Sequence, residues 1–282
     1  MIFFVILQVF FVILQRKNFN KNLKIMEKYW LIFNPSNEIL LKNGSEIPLS
    51  LLPPIAPQED NHTFELPDIE GIESFCFGVD ENTKAPEGFE FIGLRQSHLK
   101  LPLAIHYKAG KASELINFDF TYRFCPRCGT KSYYSSPISK KCPKCQKEIW
   151  PPINPAIIVL IYRGKDEILL SKALNFRGSF YGLTAGFLET GESIEECIVR
   201  EIREETNLKV KNIKYFGSQP WPYPSQEMLG FFAEYDSGEI KIQEEELSDC
   251  RWFRRGELPE IPPKISMARM LIDYWCTHRE EF

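Results

Sequence analysis

Short apolar runs separated by turn-forming residues characterise the first part of the chain. The runs YWLIF, SFCFGV and FEFIGL are bounded by proline, glycine and asparagine, a pattern typical of β-strands. The segment SELINFDFTYRF that follows them is predicted to be helical. These features predict an N-terminal α+β domain over residues 26–118. Packing or dimerisation is its favoured role, because it contains no catalytic constellation.

A longer apolar pattern begins after a proline-rich segment. We interpret WPPINP, residues 150–155, as a linker, because proline disfavours regular structure. The continuous apolar run AIIVLIY (156–162) and the run EILLSKA (167–173) predict two strands. Residues 151–282 are therefore expected to form one mixed α/β domain.

Apolar residues also fill most of the first fifteen positions, MIFFVILQVFFVILQ. Fifteen residues are short for a transmembrane helix. The charged start and the small-residue cleavage site of a secretion signal are not visible. We favour Met26 as the true start, with residues 1–25 a doubtful leader or mis-assigned start. A peripheral membrane anchor is the second interpretation, and no stable membrane partner is expected.

Composition and charge narrow the class of protein. The chain of 282 residues is 44% hydrophobic and 26% charged, which is ordinary for a globular protein. Its net charge of −4 gives no reason to expect non-specific nucleic-acid binding, although it does not exclude a small basic patch. Four of the eight cysteines occur in two close pairs. This favours a metal site in a reducing compartment, and hence a cytoplasmic location, over disulfides.

The paired cysteines have the spacing of a zinc site. Cys125 and Cys128 form one Cys-x-x-Cys pair, and Cys142 and Cys145 form the second after thirteen intervening residues. Four thiolates suit tetrahedral Zn²⁺, and a site whose four ligands all come from the protein is structural. We predict a zinc ribbon over residues 119–150 with one structural zinc per chain. Zinc ribbons can bind nucleic acid, but a staple between domains is the favoured role.

An acidic helix is predicted in the second domain. Ser193 and Glu196 have the spacing of a capping box, which predicts a helix over about residues 194–206. At 100° per residue, Glu201, Glu204 and Glu205 share an arc of roughly 100°. Such an arc is either a solvated acidic face or a site for a hard divalent cation that bridges phosphates.

The segment around this helix resembles the Nudix hydrolase motif. The pattern Gly-x5-Glu-x7-Arg-Glu-apolar-x-Glu-Glu-x-Gly-apolar matches at six specified positions, with Ile202 and Leu208 at the apolar ones. Asn207 stands where the pattern has glycine, and asparagine tolerates the left-handed conformation expected after a helix. The resemblance implies an α/β/α sandwich with a mixed sheet, and an α+β chain overall. The matching residues are Gly186, Glu192, Arg200, Glu201, Glu204 and Glu205.

Roles for the motif residues follow from this resemblance. Glu201, Glu204 and Glu205 are implied to be catalytic. Mg²⁺ or Mn²⁺ would be held by Glu201, Glu205, the carbonyl of Ala185 and a later glutamate, for which the spacing favours Glu246 over Glu244 and Glu245; the alternative is a surface acidic run. Gly186, Glu192 and Arg200 are implied to support the structure, with Arg200 pairing to Glu192. The motif contains no histidine, so a histidine base is not expected.

A stiff aromatic segment, SQPWPYPSQ at residues 218–226, refines the resemblance. Its three prolines make it a poor helix or central strand. The order of zinc ribbon, Nudix motif and this segment is similar to the NADH pyrophosphatase subfamily. Tyr223 stands where the subfamily has phenylalanine, and Gln226 stands where it has serine. The segment, called the strap below, is implied to bind a dinucleotide through Gln219, Pro220, Trp221, Pro222, Tyr223, Pro224, Ser225 and Gln226.

Further substrate contacts are implied by the same subfamily. Phe187 is expected to stack on the substrate, and the backbone of Ala268 is expected to contact it. Trp150 would reach the site of the partner subunit in a homodimer, or else simply pack in the linker. Arg95 would contribute from the first domain.

The activity implied is metal-dependent hydrolysis of NADH, and less efficiently NAD⁺, to the nicotinamide mononucleotide and AMP. Relatives also remove NAD caps from RNA 5′ ends, which the sequence leaves open. A broader ADP-ribose or dinucleoside pyrophosphatase is the enzymatic alternative, because Gln226 departs from the subfamily. A non-catalytic nucleotide sensor is the alternative from another class.

Overall fold

The structure is a computed structural model that describes residues 26–174 and 179–282. The chain divides between Pro151 and Pro152 into two compact units. The predictions for residues 1–25 lie outside the described residues. Across the two described ranges, none of the helices has the length and apolar character needed to cross a membrane.

The N-terminal unit is built on a six-stranded mixed sheet. Its order is β4-β5-β1-β2-β6, with β3 paired to β1 and with β1 and β5 parallel. The strands that the apolar runs predict are confirmed. Of the predicted helix, residues 113–121 form the last part of a longer one, and residues 122–124 are not helical. The elements are β1 (Lys28–Phe33), β2 (Glu38–Lys42), β3 (Leu49–Ser50), β4 (Phe64–Ile69), β5 (Ile72–Gly78), β6 (Phe89–Gly93), α1 (Leu94–Ser97) and α2 (Leu103–Thr121).

Helix α2 packs closely on this sheet. A Cβ at Gly78, the last residue of β5, would lie 2.3 Å from the Phe120 ring, so any side chain there would collide with that ring. A buried cluster around Trp30, Leu40 and Phe77 adds further core to the unit. The sheet therefore fixes the end of α2, from which the cysteine module follows.

The cysteine module adds three short antiparallel strands in the order β7-β8-β9. They are β7 (Tyr133–Ser136), β8 (Ser139–Lys141) and β9 (Glu148–Ile149). A buried ion pair joins the module to α2: Lys140 Nζ lies 2.8 Å from Asp119 Oδ1, and the Tyr134 hydroxyl donates to the same oxygen at 2.8 Å. Because α2 continues to Thr121, residues 119–121 are helical and the ribbon strands begin later.

The C-terminal unit is a mixed sheet with a helix on each face. Its order is β13-β14-β10-β11-β15, with β12 paired to β10; β10 and β14 are parallel and the other pairs antiparallel. Helix α3 buries apolar side chains in one core cluster and α4 in another. This is the predicted α/β/α sandwich. The elements are β10 (Asn154–Arg163), β11 (Glu167–Ala173), β12 (Thr184–Phe187), α3 (Ile194–Thr206), β13 (Lys209–Trp221), β14 (Gln226–Ser237), β15 (Leu247–Arg254) and α4 (Met267–Thr277).

Two proline-rich segments are more regular than predicted. The interpretation of residues 150–155 as a linker is wrong for its last two residues, because Asn154 and Pro155 begin β10. The Asn154 amide donates to the Ser225 carbonyl at 3.0 Å, and this long-range pairing is invisible to local pattern. The first part of the strap ends β13, which is an edge strand and not a central one. An edge strand tolerates proline because one side of its ladder needs no donor.

Candidate active site

Helix α3 begins and ends as its sequence predicts. Ser193 accepts from the Glu196 amide, and the Glu196 side chain accepts from the Ser193 amide, completing the capping box. Asn207 closes the helix in the left-handed conformation at φ 62°, as expected where the motif has glycine. The buried side chains of Ile198 and Ile202 anchor the helix to the sheet. The acidic face is therefore held in a fixed orientation.

Gly186 allows the acidic face to approach strand β12. A Cβ at this position would lie 2.0 Å from both Cδ and Oε1 of Glu201. No side chain fits there without displacing that carboxylate. The glycine therefore allows Glu201 to lie directly against the backbone of β12.

Arg200 ties the loop before α3 to the helix. Its Nε and Nη2 donate to the two carboxylate oxygens of Glu192 at 2.7 and 2.9 Å, and Nη2 also donates to the Phe187 carbonyl at 3.1 Å. The hydrogen bonds from Arg200 lower the pKa of Glu192 to about 2. The same pairing raises the pKa of Arg200, so both groups stay charged at neutral pH.

The third nitrogen of the Arg200 guanidinium contacts two more carboxylates. Arg200 Nη1 lies 2.8 Å from Glu201 Oε1 and 3.1 Å from Glu204 Oε2. The side chain of Glu201 is 14% exposed and that of Glu204 is 54% exposed. The two carboxylates therefore share one cation but differ in their access to solvent.

Glu205 is the buried member of the acidic face. It is 6% exposed, and this burial raises its pKa to about 8, with further contributions from the charges of Glu201, Glu246 and Glu204. The Thr184 side chain hydrogen-bonds to the carboxylate and opposes the shift. Its Oε2 is buried with no hydrogen-bond partner in the described part of the chain. A buried, unpartnered carboxylate oxygen among other acids is a position that a cation would stabilise.

Glu246 lies on the turn that leads into β15. The Gln243 amide donates to the Glu205 carbonyl at 3.1 Å, and the Glu246 amide donates to the Gln243 carbonyl at 3.0 Å. The charge of Glu246 raises the pKa of both Glu201 and Glu205. Within the acidic run 244–246, Glu246 is the residue named among the main causes of both shifts. The turn thus brings one particular acid toward α3.

The strap is anchored beside the start of α4. The Gln219 side chain is buried, and its Nε2 donates to the Ile265 carbonyl at 2.7 Å. The rings of Trp221 and Tyr223 meet edge to face, with centroids 5.0 Å apart. Ala268 is buried in the first turn of α4. In the rest of the strap, Pro220 and Pro224 are exposed, Pro222 and Ser225 are buried, and Gln226 is partly buried.

Comparison with known proteins identifies the unit that carries this site. A model of the NUDIX domain matches residues 152–274. An NAD-capped RNA hydrolase NudC of Chromobacterium violaceum is 38% identical over 248 residues, covering 88% of this chain and 91% of that protein. The chain belongs to the Nudix hydrolase family.

Other similar proteins carry related names. An NAD-capped RNA hydrolase NudC of Pseudomonas aeruginosa is 40% identical, covering 74% of this chain and 75% of that protein. The crystal structure of a NUDIX hydrolase from Nitrosomonas europaea aligns with a TM-score of 0.47 at 23% identity, covering 56% of this chain and 92% of that one. Nudix hydrolases use divalent cations, which agrees with the acidic character of the site.

Some predicted site residues meet in the Nudix unit and others belong to the N-terminal unit. Glu192, Arg200, Glu201, Glu204, Glu205 and Glu246 are linked by hydrogen bonds or charge. Ala185, which is exposed, lies in β12 next to Thr184, and Phe187, at the end of that strand, is half exposed. Arg95, in α1, and Trp150, which follows β9, are exposed residues of the N-terminal unit.

Sequence reasoning missed Thr184, Gln243 and Ile265. Thr184 hydrogen-bonds to Glu205, Gln243 positions the turn of Glu246, and Ile265 anchors the strap. The last two act through backbone groups, which leave no residue-type signal. Thr184 precedes the glycine of the motif by two residues, so proximity to the motif was the one available signal.

The four paired cysteines form a candidate zinc site in the N-terminal unit. Their sulfur atoms all lie within 4.8 Å of one another. Cys125 Sγ lies 3.6 Å from Cys145 Sγ, and Cys128 Sγ lies 3.4 Å from Cys142 Sγ. Tetrahedral zinc with Zn–S bonds of about 2.3 Å would separate the sulfurs by about 3.8 Å. The backbone amides of Arg127 and Cys145 donate to the sulfurs, as expected for thiolate ligands.

Proposed function

We propose that this protein hydrolyses the pyrophosphate bond of NADH and NAD⁺ to NMN(H) and AMP, and that it also removes NAD caps from RNA 5′ ends. The single observation that carries the proposal is the buried Glu205 carboxylate, with one unpartnered oxygen, in the acidic cluster of a Nudix hydrolase. The names of the similar proteins support the substrate class.

Catalytic Mg²⁺ or Mn²⁺ would be held by Glu201, Glu205, Glu246 and the carbonyl of Ala185. The charge of Glu246 raises the pKa of Glu201 and Glu205, and the charge of Glu201 raises that of Glu205, so the three carboxylates form a donor set suited to a hard cation. When bound, the cation neutralises charge on the phosphates and lowers the pKa of a bound water.

The protein's own groups position the reaction. Glu201 accepts the proton of the attacking water in this proposal, and Arg200 orients it by donating to one of its oxygens, Oε1. Glu204, whose side chain is mostly exposed, accepts from the same guanidinium group of Arg200 and completes the acidic face. The two hydrogen bonds from Arg200 to Glu192 hold the loop against the helix. The carboxylates are therefore already in position before the substrate binds.

The substrate is held by aromatic and backbone groups. Phe187 and the rings of the strap would stack on the bases, and the anchored Gln219 would keep the strap in place. The prolines lower the ordering cost of binding. The remaining strap residues and the backbone of Ala268 complete the contact. In the proposed homodimer, Trp150 would reach the partner subunit's site, and Arg95 would contribute from the N-terminal unit.

The ion of the cysteine site is proposed to be one structural Zn²⁺ per chain. All four ligands, Cys125, Cys128, Cys142 and Cys145, come from the protein. No position would remain for a reacting water, so this metal would stabilise the fold and take no part in hydrolysis.

The test is product analysis with NADH, NAD⁺, ADP-ribose and an NAD-capped RNA, in Mg²⁺ or in Mn²⁺. We expect NADH and the capped RNA to be cleaved at the pyrophosphate and Glu205→Gln to lose this activity. Glu195→Gln is the matched control, because Glu195 is an exposed glutamate on the same helix outside the acidic face. Tight nucleotide binding without turnover in either cation would refute the proposal and favour a sensor. Preferential cleavage of ADP-ribose would instead indicate an ADP-ribose pyrophosphatase.

A further inference from the structure

We propose that the outer surface of the zinc ribbon binds single-stranded RNA, such as the chain that follows an NAD cap. The ribbon surface consists of Arg127, Tyr133, Lys141, Lys144 and Lys147. The inference rests on the proposed function, because this surface would serve a capped RNA and not free NADH.

The ribbon is basic within an acidic chain. Residues 119–150 contain seven lysine and arginine residues and two acidic residues, a formal charge of +5, whereas the whole chain carries −4. This is the small basic patch that the overall charge does not exclude. A local concentration of cations is what binds the phosphates of a nucleic acid, whatever the charge of the rest of the protein.

The cations of the ribbon surface form no ion pair in the described part of the chain, although Lys141 has the exposed Glu148 as its cross-strand neighbour. Lys140 is buried against Asp119, and Lys131 pairs with Asp60. In contrast, the basic side chains of the ribbon surface make no ion pair within residues 26–174 and 179–282. Two of them occupy equivalent places in the two cysteine pairs, and the other two flank the second pair. These four residues are Arg127, Lys141, Lys144 and Lys147.

The strand register separates the outer face of the ribbon from its inner face. Tyr134 pairs with Lys140 on the inner face, where both contact Asp119 of α2. Because side chains alternate along a strand, Tyr133 and its partner Lys141 lie on the opposite face. Tyr133 is 49% exposed. An exposed ring beside a lysine can stack on an unpaired base while the cation meets a phosphate.

Charge compensation alone does not explain these residues. Four thiolates around one Zn²⁺ carry a net charge of about −2, which the formal charge of the ribbon exceeds. Compensation also gives no role to an exposed tyrosine. The combination of excess cations and an exposed ring fits a single-stranded nucleic acid, in which the bases are accessible.

The experiment compares Arg127→Glu/Lys144→Glu/Lys147→Glu with the matched control Lys42→Glu/Lys84→Glu/Lys100→Glu, which changes three exposed lysines of the same unit. For each, kcat/KM is measured on NADH and on an NAD-capped single-stranded RNA over a range of salt concentrations. We expect the ribbon variant to cleave NADH normally. On capped RNA, the slope of log kcat/KM against log salt should be smaller by about two, since each phosphate contact contributes about 0.7.

A second variant tests the exposed ring separately, and zinc content shows whether each variant still folds. Tyr133→Ala should weaken binding of an uncapped RNA oligonucleotide roughly tenfold in fluorescence anisotropy, without a change in total charge. Zinc content is measured for every variant, and if the triple variant loses zinc, Lys147→Glu alone replaces it. Equal RNA affinity and equal salt slopes in ribbon and control variants would overturn the inference while leaving the hydrolase intact. If capped RNA is not cleaved at all, the proposed function fails in that part, and the uncapped oligonucleotide still decides whether the ribbon surface binds RNA.

Discussion

Replacing the buried Glu205 by glutamine should stabilise the protein in the absence of Mg²⁺ and Mn²⁺ while removing its activity. Burial raises the pKa of Glu205 to about 8. A carboxyl whose folded pKa is raised contributes stability below its unfolded pKa of about 4.5, and this stability is lost as the pH rises toward the folded value. Glutamine stays neutral, so Glu205→Gln should not show this loss.

The size of the effect follows from the shift. A pKa that moves from about 4.5 to about 8 lowers the free energy of unfolding of the wild type by on the order of 3 kcal/mol at pH 7. The loss grows to roughly 4–5 kcal/mol at pH 8.5 and is less than about 1 kcal/mol at pH 5. For a unit of this size, the melting temperature of Glu205→Gln should exceed that of the wild type by roughly 10 °C at pH 8. The two proteins should converge toward pH 5.

The assay is thermal unfolding between pH 5 and pH 8.5 in buffer free of Mg²⁺ and Mn²⁺, without a chelator, so that zinc is retained. Adding Mn²⁺ at pH 8 should raise the melting temperature of the wild type and narrow the gap, because a bound cation stabilises the ionised carboxylate. Glu195→Gln should follow the wild type at every pH. If Glu205→Gln melts at or below the wild-type temperature throughout, ionisation of the buried carboxylate does not destabilise the protein, and the reasoning is refuted.

Three further predictions concern other parts of the structure. Gly186→Ala should lower kcat on NADH by roughly 100-fold, because the methyl group would displace Glu201, and a change in KM alone would contradict this reasoning. Glu192→Gln should flatten the loss of melting temperature between pH 4.5 and pH 2, since Arg200 depresses the pKa of Glu192 and the pair's stability is lost as that carboxylate is protonated; an unchanged acid profile would argue against the pair. Cys128→Ser should reduce zinc from one atom per chain to substoichiometric levels by elemental analysis, and retention of a full equivalent would exclude this cysteine as a ligand.

Elements specified by neighbouring residues could be predicted from the sequence. The capping box of Ser193 and Glu196 and the left-handed Asn207 set the ends of helix α3, and the structure confirms both. The strand EILLSKA is confirmed with both of its ends, Glu167 and Ala173. In each case the signal lies within a few residues of the feature that it determines.

Features that depend on distant parts of the chain could not be predicted in this way. Helical periodicity places Glu204 and Glu205 on one face, yet one is mostly exposed and the other buried, because the sheet covers only part of that face. Asn154 belongs to a strand because it pairs with Gln226 of β14, and its backbone amide donates to Ser225, 71 residues away. Such long-range pairings allow a strand to form in a proline-rich segment, where the local sequence alone disfavours one.

The buried carboxylate of Asp119 links the cysteine module to helix α2 and to the loop before β4. Asp119 accepts from Lys140 and Tyr134 of the ribbon and from the backbone amide of His62. Unfolding of the ribbon would leave this carboxylate without two of its donors inside the unit, so the ribbon cannot open without weakening the packing of α2. Zinc bound by the four cysteines would therefore also stabilise the packing of α2, beyond the ribbon itself. Availability of the metal in the cell would then affect the stability of residues that lie far along the chain from any cysteine ligand.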